Sequence, residues 1–326
     1  MKSWHLSRNA FSTCVMTVLL AACGGSQPPL SAPGVMPQSH AIATQADRSG
    51  SWMLPEAKSE NLLYVADYGG GVIVYSYRPA RIKYVGYLAA PLYAAGECVD
   101  KNQNVFITSS NYEIYEYAHA GTSPIAVLTD PFANPINCAA DQTSGNLAAV
   151  GYPDLGQSSG VAIFDHARGK PKLYLDGFEG GWACGYDSYG NLFVDGGPQS
   201  SYIDFAELPK GSSEFTNIQL NQIFHAPGGV QWDGHDVAVG DLYGAVIYEF
   251  SISGSMGTEV GSTPLTDSGE VSQFFIDRAR GRVIAPSAFQ NYSGFVKIYD
   301  YPTGGEARRT LNFGTPEGVV VSLAPR

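Results

Sequence analysis

The chain has 326 residues, with 30 acidic against 19 basic side chains and a formal net charge of −11. A protein held by phosphate contacts needs a basic face, and no Lys/Arg cluster occurs beyond residue 60, so nucleic acid is not an expected partner. The acidic balance otherwise speaks to solubility and not to activity.

In chain order, Lys2 and Arg8 precede a short apolar stretch, Cys14 to Ala22, which ends at Cys23-Gly24-Gly25-Ser26. A basic start, a brief hydrophobic core and small residues before a cleavage point describe a secretory signal over residues 1–22. The stretch is too short for an ordinary spanning helix. Leu20-Ala21-Ala22-Cys23 resembles the lipobox of bacterial lipoproteins, which implies that Cys23 is lipidated and that the lipid membrane is a partner through this anchor. Gly24 after that Cys implies the outer membrane where the envelope has one. Residues 23–58 then read as a flexible tether, because Gln27, Pro28, Pro29, Ser31, Pro33 and Pro37 crowd a segment with few bulky apolar residues. Trp52, Met53 and Leu54 either dock on the folded region or belong to the tether.

From residue 59 to the end, aspartates recur at near-equal intervals: Asp100, Asp141, Asp187, Asp233 and Asp277. Each closes a short inner segment and is followed by a tight turn and an apolar run such as Asn191-Leu192-Phe193-Val194. An alternating strand such as Val296-Lys297-Ile298-Tyr299 comes next, then a more variable one. Short runs rich in Val, Ile, Phe and Tyr, bounded by Gly, Asn, Asp and Pro, are strands. Four such strands about every 44 residues make one propeller blade. After the fifth unit only an inner strand is left, Pro316 to Leu323, while residues 61–87 supply three strands without an inner one. The expectation is an all-β, six-bladed β-propeller over 59–326 whose last blade is closed by strands from both termini, which removes the open edge of a linear array.

Leu63-Tyr64-Val65-Ala66-Asp67-Tyr68-Gly69-Gly70-Gly71-Val72-Ile73-Val74-Tyr75 and Asp187-Ser188-Tyr189-Gly190-Asn191-Leu192-Phe193-Val194-Asp195 resemble the strand-turn-strand pattern of NHL-repeat propellers. The wider group includes the six-bladed gluconolactonase and SMP-30-like proteins. The basic residue that NHL repeats often carry after the second strand is absent.

Cys98, Cys138 and Cys184 precede the repeat aspartate in consecutive units, where Val230 and Phe274 stand later. The shared position reads as small buried residues packed near the channel wall. An exported chain also leaves open one disulfide between neighbours, such as Cys98 and Cys138, with the third cysteine left over. His119 and His166 fall before matching turns, and His235 lies in the first turn of its unit. Only His225 enters an inner strand, and a lyase chemistry would need it paired with a carboxylate.

Loops at one end of a propeller converge on the channel mouth. Those positions hold Asp67, Tyr68, Asn111, Tyr112, Tyr152, Asp154, Asp195, Asp241 and Tyr243, with Asn291 and Tyr292 in the last unit. The starts of the inner strands add Tyr93, Glu97, Asn137, Trp182, Gln273 and Glu317. Carboxylates and amides beside aromatic rings suit a polar ligand, since rings stack on sugar faces or peptide side chains while Asp and Asn exchange hydrogen bonds. The expected function is a tethered, non-catalytic module that binds an envelope glycan, a polysaccharide or a protein. The resemblance to the lactonase group implies the alternative, a calcium-dependent hydrolase with Glu97, Asn137 and Glu317 as metal-ligand candidates.

Overall fold

Four of the five repeat aspartates make the same turn. The Asp100 carboxylate accepts the Asn102 and Asn104 amides at 2.9 and 2.8 Å, and Asp187 accepts those of Tyr189 and Asn191 at 2.8 and 2.9 Å. Asp141 holds Thr143 N–H, and Asp233 holds His235 N–H and Asp236 N–H, in the same way. A side chain that captures the amides ahead of it reverses the backbone locally, so each aspartate sets the corner between two strands. Asp277 differs: its carboxylate pairs with Arg280 at 2.9 Å, and a 3-10 turn over Arg278–Arg280 ends on Gly281 at φ 60°. Glycine takes that left-handed angle without a Cβ clash.

The computed structural model describes residues 50–78, 81–153, 158–200, 202–287 and 294–325, with the side chains of 198–200 and 202 left aside. It contains six sheets, antiparallel throughout except where Gln219–Leu220 pairs in parallel with Met256 and Gly257. Blade 1 takes its inner strand from the C-terminus, Pro316–Ser322, followed outward by Leu62–Asp67, Gly71–Arg78 and Arg81–Leu88. Blade 2 runs Ala94–Val99, Val105–Ser109, Glu113–Tyr117 and Ala126–Thr129; blade 3 runs Ala133–Ala140, Leu147–Pro153, Gly160–Phe164 and Lys172–Leu175. Blade 4 starts with Gly181–Tyr186 and Leu192–Ser200, blade 5 with Pro227–Trp232 and Val237–Asp241, and blade 6 with Phe275–Asp277 and Arg282–Ser287. The six-bladed β-propeller read from the repeat is the fold observed. Closure is by the C-terminal strand, which pairs Val65 with Val319 and Leu62 with Ser322.

The second strand of a blade is covered on both faces by neighbours, so it reads as a continuous apolar run and not an alternating one. Val105–Ser109 and Val237–Asp241 are buried at every position. The core is accordingly six apolar clusters, each shared by two adjacent blades. The cluster of Leu63, Val65, Val319 and Val321 with Ile284, Val296 and Ile298 seals blade 1 against blade 6.

One boundary moves and one open alternative is decided. Residues 50–58, assigned to the tether, already belong to the propeller: Trp52–Met53 pairs with Gly86 and Tyr87 as a fifth, outermost strand of blade 1, and Ala57 is fully buried. Met53 fits because Gly86 opposite has no side chain; a Cβ there would lie 2.1 Å from the Met53 sulfur. Second, Cys98 and Cys138 are joined as a disulfide across blades 2 and 3, with α-carbons 5.7 Å apart, and buried Cys184 is free. His119 lies in the expected turn after the third strand of blade 2, but half-buried and not exposed, with Nδ1 2.7 Å from the Ser322 hydroxyl. The signal segment, Cys23, Asp154, Asn291 and Tyr292 lie outside the described residues.

Candidate functional site

Polar side chains tie several second strands to the inner strands beside them. Thr108 Oγ1 accepts Gly96 N–H at 2.8 Å, Asp67 accepts Thr315 N–H at 2.9 Å, and Asp195 accepts Ala183 N–H at 2.8 Å and Gly228 N–H at 3.1 Å. Asp241 accepts the amides of His225 and Gly244 at 3.1 Å, and His225 Nδ1 lies 2.8 Å from its Oδ2. These bonds hold the inner strands at the axis. They also correct the expectation for two residues: Asp195 and Asp241 are fully buried and occupied with backbone amides, so neither offers its carboxylate to a ligand. Burial holds the Asp195 carboxyl well above the usual range.

Two cavities lie along the inner strands, and Gln273 borders both. The Gln273 side chain accepts the Glu97 and Val319 amides at 3.2 and 3.1 Å and donates to the Glu97 carbonyl at 2.8 Å. It thereby joins the inner strands of blades 1, 2 and 6. On the aspartate-turn side lies a cavity of about 380 Å³, walled by Cys98, Cys138, Cys184, Val230, Phe274 and Val319. The cysteines and their equivalents thus stand at the channel wall, as their spacing suggested. Glu97 borders this cavity, and neither of its carboxylate oxygens has a hydrogen-bond partner. Desolvation therefore keeps that carboxyl well above the ordinary carboxylate range.

On the opposite side a smaller cavity of about 180 Å³ opens at the mouth, bordered by Tyr68, Asn137, Tyr152, Trp182, Gln273 and Glu317. All six were sequence candidates. The Tyr152 and Trp182 rings meet edge to face at 5.8 Å, and Tyr68 and Tyr93 pack at 5.4 Å. Tyr93 stands more than half exposed with a left-handed φ of 53°. Asn137 Oδ1 accepts Cys184 N–H at 3.5 Å, which sets the amide across the inner strands. Asn111 and Tyr112 do not border the cavity; they form the next turn of blade 2, where Asn111 bonds Ser109 and Glu113 and the Tyr112 carbonyl accepts Asp130 N–H.

Glu317 carries the electrostatics of the mouth. Burial, with the like charges of Glu270 and Asp67, pushes its carboxyl up to about 7. None of the described residues bordering the cavity is Lys, Arg or His. Glu270 was not a sequence candidate; its loop position before the inner strand of blade 6, within Ser268-Gly269-Glu270, was the available signal.

The three metal-ligand candidates do not all border one cavity. Glu97 borders the inner cavity and Glu317 the mouth. Among the described residues no group of three or more His, Cys, Asp or Glu is disposed to hold a metal ion.

No family of known proteins matches the sequence, and no curated protein does. Similarity appears in solved structures. A chain of a nidogen/laminin complex matches 82% of this chain and 100% of its own length with a TM-score of 0.64 at 11% identity. A Bacteroides caccae protein of unknown function matches 81% and 99% with a TM-score of 0.54 at 13% identity. At such identities the likeness is one of fold, and fold does not carry function.

Proposed function

We propose that this protein is an exported, membrane-tethered propeller that binds one unit of an envelope glycan at the channel mouth and performs no chemistry on it. The observation that carries the reading is the aromatic cavity in which Tyr68, Tyr152 and Trp182 surround Asn137, Gln273 and Glu317. Rings supply apolar faces for a sugar while the amides and carboxyl supply orienting hydrogen bonds. The cavity is smaller than the roughly 300–1,000 Å³ of sites that enclose a drug-sized molecule, so it suits a single residue of a longer chain. The signal and lipobox pattern around Cys23 supports export and anchoring to the envelope, and a Cys98–Cys138 disulfide accords with an oxidising compartment.

The calcium-dependent lactonase alternative would need Glu97, Asn137 and Glu317 about one ion. Their division between two cavities does not support it.

The test is binding of envelope polysaccharide fragments to the propeller, which is a compact unit over Asp47–Arg326. Trp182→Ala and Tyr152→Ala each remove one stacking face, and each is expected to weaken binding about fivefold to tenfold; the exposed Tyr152 ring should be removable with little effect on the unfolding midpoint. Binding unchanged in both variants would place the ligand elsewhere.

A further inference from the structure

The mouth contains an electrostatic imbalance that a neutral ligand would leave in place. The Glu317 carboxyl is largely buried, faces the like charges of Glu270 and Asp67, and has no hydrogen-bond or ion-pair partner for its side chain among the described residues. Its one recorded bond is made by its backbone carbonyl, which accepts the Ser272 hydroxyl at 3.1 Å. A fold that crowds acidic groups without a counter-charge gives up stability, and a bound cation restores it. A metal ion is poorly served here, because the described carboxylates do not converge as a ligand group. The cavity that Glu317 borders is instead rich in aromatic rings: Tyr68, Tyr152 and Trp182 line it, and Tyr93 packs on Tyr68. Ring faces attract diffuse organic cations through their quadrupoles, and a nearby carboxylate adds to that attraction.

We infer that the mouth recognises an amino sugar, stacking its ring among Tyr68, Tyr152 and Trp182 and pairing its ammonium group with Glu317. This rests on the reading of the mouth as a glycan site and deepens it. The size of the cavity admits one pyranose unit, and the amide of Asn137 lies within the same wall to meet a hydroxyl. The association is non-covalent throughout, with no proton transferred to a product.

The experiment is calorimetric titration of the Asp47–Arg326 unit at pH 7.5 with three probes: a glucosamine tetrasaccharide, its fully N-acetylated counterpart and tetralysine. The acetylated sugar has the same backbone without the charge, and tetralysine has the charge without the sugar. The glucosamine oligomer should bind at least about tenfold more tightly than either. Glu317→Gln should reduce the preference over the acetylated sugar to about threefold or less while leaving the unfolding midpoint the same or higher. Glu270→Gln should reduce it partially, and it serves as the second variant where Glu317→Gln perturbs the fold. Equal or tighter binding of the acetylated oligomer would overturn the ammonium assignment and leave the glycan site standing. Tetralysine binding as tightly as the amino sugar would overturn the sugar assignment. Failure of both oligosaccharides to bind would remove the inference together with the glycan reading beneath it.

Discussion

Glu97 shows how much a single side chain can say about conditions. Its two oxygens are buried without partners, and removal from water raises its pKa in the folded state. An acid whose folded pKa lies above its unfolded value is neutral at no cost below about pH 4.5. As pH rises beyond that, the unfolded chain releases the proton while the folded chain retains it. Folding is then penalised by about 1.4 kcal/mol for each further pH unit, until the buried group ionises. Glu97→Gln keeps a neutral group of the same shape, so its unfolding midpoint should match the parent near pH 4 and exceed it by several degrees at pH 8. Thermal scans across that range check this; parallel curves would mean that the carboxylate is already solvated or paired. The sequence made Glu97 visible as an inner-strand polar residue, but it could not tell which cavity the side chain borders. That depends on a stagger between inner strands too small to read from spacing. Trp182, Tyr152 and Glu317 were legible because strand starts and loop ends must face the mouth whatever their detailed register.

At the scale of strands and turns, the acids at strand ends and the cysteines on inner strands show where periodicity stops being informative. Asp195 and Asp241 stand with Tyr68 among the expected mouth positions, yet their carboxylates, like that of Asp67, are spent on backbone amides in or beside the inner strands. One residue of strand length decides between facing the mouth and facing a neighbour, because successive side chains alternate in direction. The disulfide has the same origin. Cys98 lies two residues before its aspartate and Cys138 three, so the two strands are staggered, and that offset brings the sulfurs together. The bond closes a separation of 40 residues, for which loop-closure entropy gives about 4 kcal/mol. Replacing both cysteines with Ser should therefore lower the unfolding midpoint by roughly 8–16 °C. Reductant should do the same to the parent and nothing further to the double variant; an unchanged parent midpoint would show that the bond adds no stability. Cys184 should stay unreactive toward thiol reagents until unfolding, since burial pushes its thiol upward.

For the whole molecule, the repeat was readable because each blade must present an apolar second strand to two neighbours, and the aspartate turn before it has one local mechanism. The start of the folded region was not readable in the same way. Trp52–Met53 is two residues long, carries no periodicity, and earns its place only by pairing with blade 1. The two termini consequently have unequal importance. The outer strand covers one edge of one blade, whereas Pro316–Ser322 forms the inner strand of blade 1, abuts blade 2 across the Gln273 bridge, and places Val319 and Val321 in the cluster shared with blade 6. Deleting residues 50–54 should leave cooperative unfolding with a midpoint a few degrees lower. Deleting 315–326 should abolish the single transition, because it exposes the second strand of blade 1, opens the ring and removes Glu317 from the mouth. Calorimetry and far-UV circular dichroism on the two deletions distinguish the cases. A cooperative transition surviving the C-terminal deletion would mean that five complete blades are self-sufficient, and that the closing strand serves the mouth more than the fold.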